Sequence, residues 1–317
     1  MKRGEFLRNS AFATGTLMSG GLFARGFQKE DLLEEPIIDG VFSATCSFRV
    51  AKPIHKEVES KIKELVNSEI SQYDGFLGFS LKQMVGDSTM VKNLPASYKG
   101  ALANAFEEGA ESGSMPYVYL LLVRFNSFEN LKFYGANNLI KDHLSEVNFM
   151  YSPNGKTDLF LEFTGEPMVT IAAGNREKVF SHPSELKTFL NYKHGLKNTI
   201  TVANHVSIKA KHTEAFEEQV KGLLSIAQNT FKPHTSETGL AGAKDNSNYK
   251  KAVTTEILRG AKTHGDYRNY IMHGVWESYW DHENSHLDQR FKKAAAPVGS
   301  YVVKGPVEPF YKTILDI

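Results

Sequence analysis

An α+β fold built from two tandem split βαβ units, whose sheets pair into one barrel, is predicted by three observations. Strand-like and helix-like segments follow one another as strand, helix, strand, strand, helix, strand, the order of the ferredoxin-like unit. That order then recurs further along the chain. The helical core positions of the two copies also keep one offset, 158 residues, as from Val58 to Phe216.

Residues 1–27 read as an export signal. Lys2, Arg3 and Arg8 precede an apolar, small-residue run from Ala11 to Ala24, which ends in a candidate cleavage site. The segment Arg3 to Arg8 resembles the twin-arginine export signal, with Gly4 where that signal has its second arginine. Export to the periplasm or another extracytoplasmic space is the expectation. No later stretch approaches the ~18 apolar residues of a spanning helix, so no stable membrane insertion is expected. Residues 28–39 form a polar linker.

The first unit is placed at 40–175. Alternation from Gly40 to Val50 predicts a strand. A helix follows from Ile54 to Tyr73, with Val58, Ile62, Leu65 and Val66 at helical spacing. A glycine-punctuated strand opens at Gly75, and residues 87–115 read as an insertion holding a short amphipathic piece, Ala101 to Phe106, and a Glu/Ser/Gly-rich loop. Tyr117–Phe125 predicts a buried strand and Phe128–Tyr134 the start of a helix; Leu159–Phe163 and Met168–Ala172 complete the unit. Residues 176–197 form the connection, with a short helix at Ser184–Tyr192.

The second unit occupies 198–317. Asn198–Lys209 is a strand and His212–Asn229 a helix, in which Phe216, Val220, Leu223 and Leu224 match the four apolar positions of the first copy. Gly239–Gly242 echoes the Gly75–Gly78 strand start, and Gly274-Val275 echoes Leu122-Val123. Paired sheets of this kind close edges that would otherwise be exposed.

Composition excludes several classes of function. Lys plus Arg total 37 against 36 Asp plus Glu in 317 residues, so no basic excess marks a nucleic-acid surface. A hydrophobic content of 41% supports packed cores. The single cysteine, Cys46, rules out an intrachain disulfide and a Cys-rich zinc site, and it reads as a small buried residue. The expected partner is a small-molecule substrate or ligand, with homo-oligomers compatible with the fold.

The chemistry concentrates between Trp276 and Tyr311. On a helix, His282 and His286 project from one face, because side chains at i and i+4 stack. Glu308 follows between two prolines, after a strand-like run from Ser300 to Val303. Two histidines and one carboxylate form a facial set that suits Fe(II) or another divalent first-row ion and leaves positions open. The same spacing also fits a solvated polar face. Asp281 and Glu283 flank the first histidine and could orient imidazole N–H groups or simply solvate the helix. Trp276, Trp280, Phe291 and Tyr311 could wall a dry pocket or serve as ordinary core. His273 is a spare ligand candidate, whereas His205, His212 and His264 read as surface or loop residues.

The second unit resembles the dimeric α/β-barrel superfamily of antibiotic-biosynthesis and haem-degrading monooxygenases and sulfur oxygenase reductases. Asn204-His-Val-Ser-Ile and Trp276-Glu-Ser278 are similar to the haem-degrading type, which implies that Asn204 and Trp276 line a pocket. The axial histidine of that type would fall near Ala295, and none stands there. Asp281-His282-Glu283, His286 and Gly305-Pro306-Val307-Glu308-Pro309-Phe310-Tyr311 resemble the iron-binding segment of sulfur oxygenase reductases, implying that His282, His286 and Glu308 hold a mononuclear non-haem iron. That family's catalytic cysteine has no counterpart after Cys46, which argues against sulfur chemistry. The function expected is that of an exported iron-dependent oxygenase or oxidoreductase. The alternatives are a catalytically silent ligand-binding or stress-associated barrel and a haem-binding, monooxygenase-like protein.

Overall fold

Period-two alternation after Gly40 makes the first strand, and the same rule builds the rest of the barrel. The computed structural model describes residues 39–88, 105–134, 167–191, 198–229, 251–286 and 288–317. The expected export signal, nearly all of the linker, Leu159–Phe163 and the Gly239–Gly242 echo lie outside them. In chain order the elements are β1 (Phe42–Val50), α1 (His55–Ser68), β2 (Phe76–Asp87), α2 (Ala105–Ser112), β3 (Tyr117–Phe125), α3 (Phe128–Tyr134) and β4 (Pro167–Asn175). There follow β5 (Val179–Phe180), α4 (Pro183–Leu190), β6 (Ile200–Lys209), α5 (Thr213–Asn229), β7 (Thr254–Gly260), β8 (Tyr267–Trp276), α6 (Tyr279–Ser285), α7 (Gln289–Tyr301), β9 (Val302–Val307) and β10 (Pro309–Asp316).

Hydrogen bonding orders the strands β1-β3-β2-β10-β6-β8-β7-β4, and β4 returns to β1 through Phe42↔Val169, so the antiparallel ring is closed. Within the ring, β2-β3-β1-β4 and β7-β8-β6-β10 carry their strands in the same 2-3-1-4 order. The duplication read in the sequence is therefore a duplication of topology. The two units join twice, β10 on β2 and β4 on β7. Each junction covers an edge strand that an isolated unit would leave unpaired.

Side-chain parity divides the core into layers. On β3, Tyr117, Tyr119, Leu121, Val123 and Phe125 pack outward with Val58, Ile62, Leu65 and Val66 of α1, while Val118, Leu120 and Leu122 face the barrel interior with Met84, Leu258 and Ile271. Burying four aliphatic side chains at i, i+4, i+7 and i+8 stabilises the α1 docking by on the order of 6–12 kcal/mol, an upper bound set by an extended unfolded reference. In the second unit Phe216, Val220 and Leu224 of α5 pack likewise on Val206, Ile208 and Tyr270. Leu223 is only partly buried, because its side borders a cavity described below. Cys46 is fully buried on the α1 side of β1, as expected.

Charged groups stitch the two units together inside the ring. Arg124 of β3 pairs with Glu256 of β7, and Thr170 Oγ1 donates to Glu256 Oε1 at 2.6 Å. Lys82 is buried, donates to Thr201 Oγ1 at 3.1 Å and Thr313 Oγ1 at 3.2 Å, and has its pKa pulled down to about 8 by burial.

Three local expectations change. The helix near the insertion spans Ala105–Ser112, inside the stretch read as a loop; Ala105, Phe106, Gly109 and Ala110 give that stretch an apolar side. Ser300 and Tyr301 end α7 rather than opening a strand, which begins at Val302. His205 is no surface or loop residue; it sits mid-strand on β6, where burial takes its pKa down to about 4. Among the described residues, no helix is long and apolar enough to cross a membrane.

Candidate metal centre

Ser278 starts the element that carries both histidines. Its backbone is extended (φ −150°, ψ 163°), its Oγ accepts from Asp281 N at 3.2 Å, and that hydroxyl donates to Asp281 Oδ2 at 2.7 Å. An N-cap of this kind satisfies a backbone donor that the first turn leaves orphaned. The helix stops at Ser285, whose Oγ donates to His282 O at 2.7 Å. His286 still has helical dihedrals (φ −65°, ψ −20°), so the four-residue spacing brings the two imidazoles to 4.3 Å between ring centroids. Asp288 then caps the next helix by accepting from Arg290 N at 2.7 Å, and α7 runs back along α5.

Glu308 arrives from the opposite side, between β9 and β10. Its backbone carbonyl accepts from Ser88 N at 3.0 Å, and its side-chain Oε1 accepts a hydrogen bond from Asn204 Nδ2. The pairing Pro309↔Asp87 puts this residue at the seam between the units.

His282, His286 and Glu308 each present one donor atom within 4.8 Å of the others. Two bonds of about 2.1 Å on opposite sides of a first-row ion span about 4.2 Å, so the separation is that of a site needing only small side-chain adjustment. His286 Nδ1 and Glu308 Oε2 lie 3.9 Å apart. Glu308 Oε2 and Asn204 Oδ1 are buried, make no hydrogen bond and can each offer a lone pair, and His282 Nδ1 is buried on the side of Glu283. Buried polar atoms are satisfied in the great majority of cases, and a cation beside Glu308 Oε2 and Asn204 Oδ1 would satisfy both. Burial pushes the Glu308 carboxyl up to about 7; His282 opposes the rise, and Glu283 and Asp87 add to it.

Aromatic rings hold the imidazoles. Trp276 meets the His282 ring edge-on at 5.4 Å, Phe310 meets it at 5.3 Å, and Phe291 stacks on His286 at 4.9 Å. Glu283 Oε1 lies 3.4 Å from His282 Nδ1 and accepts from Ser88 Oγ at 2.6 Å. Asp281, the other flanking carboxylate, closes the first helical turn through Ser278.

A cavity of about 440 Å³ opens from this cluster. Its floor is Val202, Asn204 and Val206 of β6 with Met272, Gly274 and Trp276 of β8; α5 and α7 form its roof. His282, His286, Glu308 and Phe291 stand at one end.

Asn204, Trp276 and Phe291 thus border the cavity, but Tyr311 does not. It points into the barrel beside Met84 and Leu120, because one step along β10 reverses the side-chain direction. Phe310, which the sequence reading passed over, packs against the His282 ring. The side chain of Trp280 lies outside the described residues. His273, considered as a spare ligand, has its Nδ1 3.8 Å from Glu256 Oε2, and burial with Lys82 and Arg124 nearby holds its pKa well below the usual range. Asp87 and Ser88 were missed altogether. They lie some 200 residues from the histidines in sequence, and only the β2–β10 pairing brings them near.

Closed ring, duplicated topology and cavity define the class: a tandem α/β barrel with one candidate metal centre. Residues 43–130 match the ABM-like domain, and residues 171–314 match the CT0912-like, C-terminal domain. The fold is an α+β barrel of two ferredoxin-like units, and the first unit matches the ABM-like domain. A candidate monooxygenase from Fusobacterium nucleatum subsp. nucleatum has a similar structure, with 11% identity, a TM-score of 0.50 and coverage of 87% of this chain and 94% of that one. A candidate monooxygenase from Lactobacillus acidophilus follows at 10% identity and a TM-score of 0.48, covering 87% and 95%. Chlorite dismutase from Candidatus Nitrospira defluvii gives 10% identity and a TM-score of 0.37, covering 86% and 92%. A search of curated proteins found no match.

Proposed function

We propose that this protein is a mononuclear non-haem metalloprotein, an iron-dependent oxygenase or oxidoreductase acting on a small molecule held in the adjoining cavity. The observation that carries this reading is the convergence of His282, His286 and Glu308 donor atoms within 4.8 Å, with Glu308 Oε2 buried and without a hydrogen bond. Two imidazoles and one carboxylate suit Fe(II) and leave coordination positions open. Bound there, the ion would supply Lewis-acid and redox chemistry to a molecule in the cavity.

The protein's own residues do the rest. Asn204 fixes one carboxylate oxygen of Glu308 and turns the other toward the histidines. Glu283 lies beside the His282 imidazole, the place of an outer-shell carboxylate that sets tautomer and basicity. Trp276, Phe291 and Phe310 keep water from the imidazole faces. Ala295 stands on the cavity wall near the place where a haem-degrading relative would carry an axial histidine, which favours the non-haem reading. Export through residues 1–27 belongs to the same proposal.

Element analysis of protein purified without chelator, followed by anaerobic Fe(II) titration, tests the reading. Wild type should hold about one ion per chain, and the His282→Ala/His286→Ala variant should hold far less. Equal metal in both would remove the site.

A further inference from the structure

The cavity is asymmetric. His282, His286 and Glu308 line it near Phe291 of α7, Thr255, Glu256 and His273 line it from β7 and β8, and it follows α7 past Ala295 and Val298 to Val302, about 16 Å at 1.5 Å per residue. Along that length the opposite wall is Val220, Leu223 and Leu224 of α5. Ala295, half-buried on the cavity side of α7, is small where a larger side chain would fill the space. The carboxylates that line the cavity, Glu256 and Glu308, are both buried. The lysine among the lining residues, Lys292, is exposed.

We infer that the cavity takes an elongated molecule of medium chain length, with an alkyl body and one oxygen-bearing end. The alkyl body lies along α7, and the oxygen meets His282, His286 and Glu308. This inference rests on the proposed function for the chemistry at the polar end, but the apolar body depends only on the walls.

Displacement of the fluorescent probe anilinonaphthalenesulfonate from the purified full-length protein reads out binding, with metal content measured on the same sample. Decanol should displace the probe about tenfold or more better than butanol, since each buried methylene adds affinity. Ala295→Trp should weaken decanol about tenfold while metal content stays at the wild-type level. Leu223→Trp, which fills the cavity from the opposite wall, should do the same and serves if the first variant does not fold. Equal displacement by butanol and decanol, or full decanol binding in either folded variant, would overturn the inference. Loss of metal with decanol binding retained would instead remove the metal centre and leave the apolar site standing.

Discussion

Ser88 Oγ donates to Glu283 Oε1 at 2.6 Å, and both residues are buried. This bond links the end of β2 in the first unit to the helix that carries both histidines of the second. Ser88→Ala should lower stability by about 1–3 kcal/mol, the cost of leaving a buried acceptor short of a partner. It should also weaken metal binding by about 10-fold to 100-fold, the usual effect of losing an outer-shell partner. Urea unfolding and Fe(II) titration of the same variant check both; an unchanged metal affinity would show that the first unit does not support the centre.

Glu308 makes the metal-free protein pH-dependent. Its folded pKa is raised to about 7 from a reference of 4.5, so the folded state holds this proton more tightly than the unfolded one. The contribution is fully present below about pH 4.5, declines as pH rises through 7, and is gone above it. The swing is on the order of 2–3 kcal/mol. With chelator present, Glu308→Gln should gain stability relative to wild type between pH 5 and 8 by about that amount, while metal affinity falls. A difference that does not vary with pH would show that Glu308 ionises freely.

The Arg124–Glu256 pair crosses the barrel between units, with side-chain exposures of 12% and 3%. Removing one partner strands a buried charge. Glu256→Ala should therefore cost about 3–5 kcal/mol, whereas Arg124→Met with Glu256→Leu should recover most of the loss. Thermal unfolding of the single and double variants decides; equal losses would mean that the pair contributes by packing and not by charge.

Gly305 has φ +91°, and a Cβ there would collide with the carbonyl oxygen of His205. Any side chain must push this loop off β6 and carry Glu308 with it. Gly305→Ala should destabilise the protein by about 1–3 kcal/mol and reduce bound metal. A variant with wild-type metal content would show that Glu308 keeps its place without this backbone geometry.

Much of the fold was legible in sequence. Val58, Ile62, Leu65 and Val66 announced α1 through their spacing, and their four partners at a common offset announced the second copy. Tyr117–Phe125 was read to the residue as β3, because a run buried on both faces is apolar throughout. The second copy's β7 was passed over, since Thr254–Gly260 is short and includes Glu256 and Arg259, charges explained only by their tertiary partners, Arg124 of β3 and Glu217 of α5.

Local sequence determined which residues could share a face: His282 with His286 follows from helical periodicity alone. It also determined the parity of each strand, although not which face would become the interior. Tertiary structure decided the rest. Whether Glu308 meets the histidines, whether Tyr311 or Phe310 packs against the His282 ring, and whether Asp87 and Ser88 reach the site all depend on how β10 registers against β2 and β6. That register comes from pairing between segments about 100 to 230 residues apart, where the burial of one face selects among shifts that each segment by itself would tolerate equally.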